Sequence, residues 1–251
     1  MIQKQQLDAW KILALGDHAL QFSLPSIMDP SIAQQIKDLN DFMVAQQLPF
    51  IKDLIPAYHT LTLIYDMELL ERPLPFAQTV LKAFLEAKER GILNTSIAHD
   101  RNTGENKNII RIPVCFDNSL GIDLELLAKE KNRTPQEIIQ IHTNQIYQVY
   151  CIGFLPGFAY MGKLDASIQS PRHATPRPLV LAGSVGIAGE QTGIYPMNSP
   201  GGWKIIGRTP QQIFNKEVAP YARFKMGDQV QFYSITLEDF TKQNEYANEH
   251  T

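Results

Sequence analysis

No stretch of this 251-residue sequence approaches the roughly 18 uninterrupted apolar residues that suggest a membrane-spanning helix. The opening residues, MIQKQQLDAW, lack the apolar centre of a secretory signal, so a cytoplasmic protein with no membrane partner is expected. Runs of Lys or Arg are missing too. With a formal net charge of only -3, nucleic acid and anionic lipid are not expected as partners. Cysteine is scarce: Cys115 and Cys151 form no CxxC pair and no cluster with His at metal-ligand spacing. The expectation is no metal site and two buried thiols in a reducing compartment. Internal repeats and low-complexity tracts are absent as well, while an apolar content of 44% is enough for a real core.

What is present divides into two parts. Ile12–Leu15 and Ala19–Leu24 read as short strands about a Gly16-Asp17 turn. Asp29-Pro30 offers an N-cap followed by proline at the first helical position, and Ile32, Ile36, Leu39 and Met43 recur at helical spacing. Tyr58–Tyr65 reads as a strand, and Phe76, Val80, Leu81, Phe84 and Leu85 mark a second helix. These elements predict an α+β domain over residues 1–92. Gly91 and the polar run His99–Lys107 break the pattern and put the junction between Glu89 and Lys107. A second domain, residues 93–240, begins with a strand at Ile109–Phe116 and an acidic helix around Leu124–Lys129. The next helix starts at Thr134-Pro135-Gln136-Glu137, a capping box with proline at its first position, and ends near His142. Val149–Phe154 and Gln229–Ile235 read as strands. A frayed polar tail is expected from Glu238, with residues 241–251 outside the domain.

Ten of the 15 glycines and seven of the 16 prolines fall between Gly153 and Pro210, a density that excludes long helices and predicts a small β-barrel or folded sheet. The same stretch carries Lys163, Arg172, Arg177, Lys204 and Arg208 against only Asp165 and Glu190, so it is +3 and the rest of the chain -6. A basic surface within an acidic chain suits an anionic ligand. The guanidinium fork matches carboxylate or phosphate, which makes Arg172, Arg177 and Arg208 the candidates; pairing with carboxylates elsewhere in the chain is the competing reading.

Three local patterns resemble catalytic motifs. Gly157–Leu164 nearly matches the P-loop GxxxxGK[ST], but Leu164 has no hydroxyl for magnesium and no helix start follows Lys163, so a turn-forming loop is the better reading. Ala182–Gly186 looks like a nucleophile elbow without the helix that should follow Ser184; backbone N–H groups of a tight turn facing an anion are expected instead. Trp203 follows the flexible Ser199-Pro200-Gly201-Gly202 turn and reads as a ligand platform, which the flanking glycines favour, or as a core residue, with Lys204 and Arg208 on the strand behind it. His142 and His173 are the histidines near this region; either can serve as a general base, and a structural hydrogen-bonding role is the competing reading.

Taken in order, Gly153–Tyr160, Ala174-Thr175-Pro176-Arg177, Ala182–Gly189, Gln191–Pro196 and Ser199–Trp203 with Gly207–Pro210 closely resemble the allophanate hydrolase subunit 1 family, and weaker likeness extends through the N-terminal part. That family includes the B subunit of 5-oxoprolinase and inhibitors of sporulation kinases. The resemblance implies an α+β domain followed by a cyclophilin-like β-barrel. It also implies two partners: the C subunit of 5-oxoprolinase, from the allophanate hydrolase subunit 2 family, and a lactam-opening third subunit, the A subunit. The activity implied is the ATP-dependent opening of 5-oxoproline to glutamate, with ATP at a site shared with a partner, room for Mg, and no call for biotin. Inhibition of a histidine kinase, or a part in a biotin-dependent carboxyltransferase or allophanate hydrolase, stays open beside it. On these motifs the catalytic roles fall to His142, Arg177 and Arg208. Substrate or anion contacts fall to Arg172, Ser184, Gly186, Gln191, Thr192, Tyr195, Trp203 and Lys204.

Overall fold

A computed structural model describes residues 7–93 and 109–249 of the chain, which divides into two compact units, Met1–Lys107 and Asn108–Thr251. Most of the expected junction, including the polar run His99–Lys107, lies outside the described residues.

The first unit is an antiparallel sheet in the order β1-β2-β4-β3, from β1 (Lys11–Ala14), β2 (Ala19–Ser23), β3 (Ile51–Ala57) and β4 (Thr60–Tyr65). Helix α1 (Pro30–Ala45) packs on β3 and β4, and α2 (Pro73–Glu89) on β1 and β2. Asp29 caps α1 as expected: its Oδ1 accepts from Ser31 N at 2.7 Å and Ile32 N at 3.3 Å. The predicted helical stripe Ile32, Ile36, Leu39 and Met43 is buried, as are Leu20, Phe22, Leu61 and Leu63 of the strands. Each such side chain contributes roughly 1.5–3 kcal/mol by leaving water. Strand β3 escaped the sequence reading because Lys52, Asp53 and Pro56 interrupt its alternation, and pairing with β4 is what extends it. Tyr58 belongs to the turn between these strands, with φ 39°, rather than to β4.

In the second unit β5 (Ile110–Cys115), β6 (Ile146–Ile152), β7 (Ala159–Gly162), β9 (Ser184–Ala188), β10 (Gln191–Ile194), β12 (Lys204–Arg208) and β13 (Gln229–Ile235) form a closed barrel. Their order is β6-β13-β5-β12-β9-β10-β7, and β7 pairs back to β6. Only the β13–β5 pairing is parallel among the described barrel pairs. Two further strands, β8 (Arg177–Val180) and β11 (Ser199–Gly201), make a separate ribbon. Val114, Val149, Met161, Val185, Ile187 and Phe232 fill the barrel. Helices α3 (Leu124–Glu130) and α4 (Pro135–Thr143) precede β6, and the Thr134/Glu137 capping box is formed. An α+β unit followed by a β-barrel is the fold expected from the sequence.

Three local expectations are corrected. Strand β6 starts three residues earlier than Val149 and ends at Ile152, because Phe154 lies in the left-handed region at φ 70° and cannot continue a ladder. Cys151 is only partly buried, unlike Cys115. The polar tail is a helix, α5 (Leu237–Glu249). The Thr236 hydroxyl accepts from Asp239 N at 3.1 Å, Glu238 and Asp239 sit in the positive first turn, Lys242 pairs with Glu238, and Phe240 is buried.

Candidate functional site

Strands β8, β9 and β12 and the turn at residues 117–122 border a pocket of about 250 Å³. Its walls include Leu179, Val180 and Ile205, and its polar groups include Ser184, Arg177 and Arg208. Two larger hollows, of about 440 and 370 Å³, have one charged lining residue each, Asp53 and Arg223. Convergent charge therefore singles out the smaller pocket.

One wall is organised by Asp123, which sequence inspection passed over. Gly121 allows the turn ahead of α3 to lie against β12, since a Cβ there would fall 2.3 Å from the Ile206 carbonyl oxygen. Asp123 N then donates to Ile205 O at 2.8 Å, and Ile205 N donates to Asp123 Oδ2 at 2.7 Å. The Asp123 side chain is 3% exposed. Arg177 Nη2 donates to its Oδ1, and His173 Nε2 lies 3.2 Å from the same oxygen. Arg177 is thus an ion-paired side chain whose Nη1 is left without a hydrogen-bond partner. An Asp before a helix ordinarily reads as a cap, but this one makes no capping hydrogen bond and turns to β12 instead. That is why its role is invisible in the sequence.

Arg208 sits differently. Its Nε donates to Ala182 O at 2.7 Å, and the Phe240 ring centroid lies 5.9 Å from its Cζ. Gly183, at φ 82°, makes room for this arrangement: a Cβ would strike Thr209 O at 2.4 Å and lie 3.5 Å from Arg208 Cγ. No carboxylate among the described residues forms an ion pair with Arg208, and burial lowers its pKa. Desolvation of an uncompensated cation favours an anion beside it.

The remaining predicted site residues go elsewhere. His142, expected to transfer protons, is fully buried in the barrel interior, stacked on Phe232 at 4.7 Å. Its Nε2 lies 3.0 Å from Thr192 Oγ1, and that hydroxyl donates to Gly186 O at 3.0 Å. Nε2 is therefore the protonated nitrogen, donating to Thr192, and Nδ1 keeps a bare lone pair without a partner. Burial lowers the His142 pKa to about 3, so it is a neutral core residue away from the pocket. Lys204, 5% exposed, is paired with Glu130 at the end of α3 and is not free for a ligand. Trp203 is buried in an aromatic cluster with Phe158 and Tyr195, edge-on to Phe158 at 5.3 Å, and corrects the expectation of a platform. Gly186 lies within β9, where a Cβ would sit 3.0 Å from Trp203 Cβ.

The expected anion-binding turn is not formed either. Its amides are used internally: Ala182 N donates to Asn198 Oδ1, Gly183 N to Tyr195 O and Ser184 N to Leu181 O. Ser184 opens a strand, not a helix, which removes the nucleophile elbow. Gln191 begins β10, away from the pocket lining. Arg172 is exposed; burial raises the Tyr160 and Tyr195 hydroxyls, and the Arg172 charge opposes that rise. The P-loop lookalike contains β7, with Lys163 paired to Glu190 at 2.9 Å and Leu164 buried. Of the eleven proposed residues the pocket collects Arg177, Ser184 and Arg208. Among the described residues no three His, Cys, Asp or Glu side chains group closely enough to hold a metal ion.

The family described as carboxyltransferase domain, subdomain C and D, matches residues 10–224. The B subunit of 5-oxoprolinase from Bacillus subtilis (strain 168) is 37% identical over 241 residues, covering 95% of this chain and 98% of that protein. The protein of the same name from Haemophilus influenzae is 50% identical over 129 residues, covering 51% of this chain and 61% of its own length. Among solved structures, TTHA0988 is similar with a TM-score of 0.71 and 27% identity; the match covers 86% of this chain and 40% of that longer one.

Proposed function

The chain belongs to the carboxyltransferase domain family, subdomain C and D, and from that membership we propose that it is the B subunit of an ATP-dependent 5-oxoprolinase, which converts 5-oxoproline to glutamate with partner subunits. The observation that carries this reading is the near end-to-end match to a protein named as the B subunit of 5-oxoprolinase. That name supports membership in a multi-subunit hydrolase complex. The partners we propose are a C subunit of the allophanate hydrolase subunit 2 family and a lactam-opening A subunit, with the chain inactive alone. The pocket adds a physical reason, since 5-oxoproline is an anion and Arg208 offers an uncompensated cation beside apolar walls.

The glycine-rich stretch offers a triphosphate little free charge. Of the five cations in the glycine-rich stretch, Lys163, Arg177 and Lys204 are each paired with a carboxylate. The P-loop lookalike is a strand and turn, and its lysine is one of the paired three. We therefore place ATP, and any Mg with it, on the partner subunits, and assign biotin no role. No described helix is long and apolar enough to cross a membrane, and the cytoplasm is the compartment proposed.

Reconstitution tests the reading. Mixing this chain with the A and C subunits should give 5-oxoproline-dependent ATP hydrolysis that is lost when the chain is left out. Activity that survives its omission refutes the assignment. The family description also favours a second reading, a carboxyltransferase subunit. Retention of the chain by an immobilised biotinylated carrier protein would support that alternative.

A further inference from the structure

We infer that the pocket between β8, β9 and β12 is a monocarboxylate site, which takes the carboxylate of a compact, ring-bearing anion on Arg208 and does not take the phosphates of a nucleotide. The charge balance points there. Arg177 and Arg208 are the charged residues lining the pocket, and Asp123 neutralises Arg177, so the net charge facing a ligand is +1. One carboxylate balances that charge. A triphosphate would bring several negative charges against it and leave most of them desolvated and unpaired.

Geometry agrees with charge. Arg208 is held from two sides, by the Ala182 carbonyl at Nε and by the Phe240 ring, so little side-chain freedom remains to be lost on binding. Its Nη groups are left to present the paired donors that match two carboxylate oxygens. Ser184 adds a hydroxyl at the pocket wall, while Leu179, Val180 and Ile205 supply apolar surface for ring methylenes. At about 250 Å³ the space is smaller than the ~300–1,000 Å³ typical of pockets for drug-sized ligands, which suits a small metabolite. The choice of 5-oxoproline among monocarboxylates rests on the proposed function; the charge count does not.

The test is calorimetric titration of the full chain with cyclopentanecarboxylate, cyclopentanecarboxamide, 5-oxoproline, inorganic phosphate and ATP. Both carboxylates should bind, and the carboxamide should bind at least about tenfold more weakly, the loss of one charge-assisted contact. Arg208→Gln should weaken carboxylate binding by a similar factor, and Arg208→Lys by less. Leu179→Trp, at an exposed position on the pocket wall, should block binding without disturbing the core. Carboxylates that fail to bind, a carboxamide that binds equally well, variants that bind like the parent chain, or displacement of the carboxylate by phosphate or ATP each overturn the inference. In the reconstituted complex, Arg208→Gln should raise the KM for 5-oxoproline and leave that for ATP unchanged. A complex that does not consume 5-oxoproline overturns the proposed function while Arg208-dependent binding of cyclopentanecarboxylate still upholds the site.

Discussion

Replacing Asp123 by Asn keeps the shape of the side chain and removes the charge on which Arg177 and the Ile205 amide converge. The Asn carbonyl oxygen can still accept from Ile205 N, but its amide nitrogen then points a donor at Arg177 Nη2. Removing one partner of a buried ion pair costs about 3–5 kcal/mol. Arg177 is 28% exposed, so water recovers part of its solvation and the expected loss is at the low end, about 3 kcal/mol. At roughly 2–4 °C per kcal/mol for a chain of this size, Tm should fall by about 6–12 °C. Thermal melts followed by circular dichroism, with urea titrations beside them, measure the change. A double-mutant cycle of Asp123→Asn with Arg177→Gln should give a coupling above about 1 kcal/mol, because the second substitution removes the cation the first leaves stranded. A loss under about 1 kcal/mol, or additive effects, would show that solvent screens the pair and would remove the charge balance assigned to the pocket. The same substitution raises the pocket's charge from +1 to +2, so the variant should gain affinity for inorganic phosphate.

Other perturbations read the rest of the unit. Burial holds the His142 pKa near 3 against an ordinary value of 6.5. Below pH 6.5 the unfolded chain therefore binds a proton that the folded chain refuses. Stability should fall as pH drops through that window, with His142 contributing about 2 kcal/mol between pH 7 and pH 5, and urea titrations should show a steeper slope in the parent than in His142→Phe. Glu130→Ala should destabilise the fold more than Lys204→Met, because the first strands a lysine 5% exposed and the second a carboxylate 39% exposed that water can reach. Chemical denaturation that gave the reverse order would refute that assignment. Trp203→Ala should cost about 3–5 kcal/mol in the same assay, the loss of a large core aromatic, where a ligand platform would lower affinity and leave stability nearly unchanged.

Local elements were legible where short-range physics decides them. The Asp29-Pro30 start of α1, the Thr134/Glu137 capping box of α4 and the alternation in β13 depend on groups a few residues apart. Strand β3 was missed because its residues do not alternate cleanly and only the ladder with β4 makes it a strand. Helix α5 was missed because a polar composition concealed one buried anchor, Phe240, and a cap at Thr236.

The site divides along the same line. Sequence alone determined that a glycine- and proline-rich stretch with an excess of basic residues builds a barrel, and it picked out Arg177, Ser184 and Arg208, which line one pocket. Tertiary structure alone decided which cations are free. Arg177 meets Asp123 from 54 residues away, and Lys204 meets Glu130 from 74. Arg208 has an aromatic ring and a carbonyl as its neighbours instead of a carboxylate. A charge in a sequence carries its sign but not its partner. The partner is set by which distant elements barrel closure brings together, and in a desolvated setting that pairing decides whether a cation binds a ligand or holds the fold.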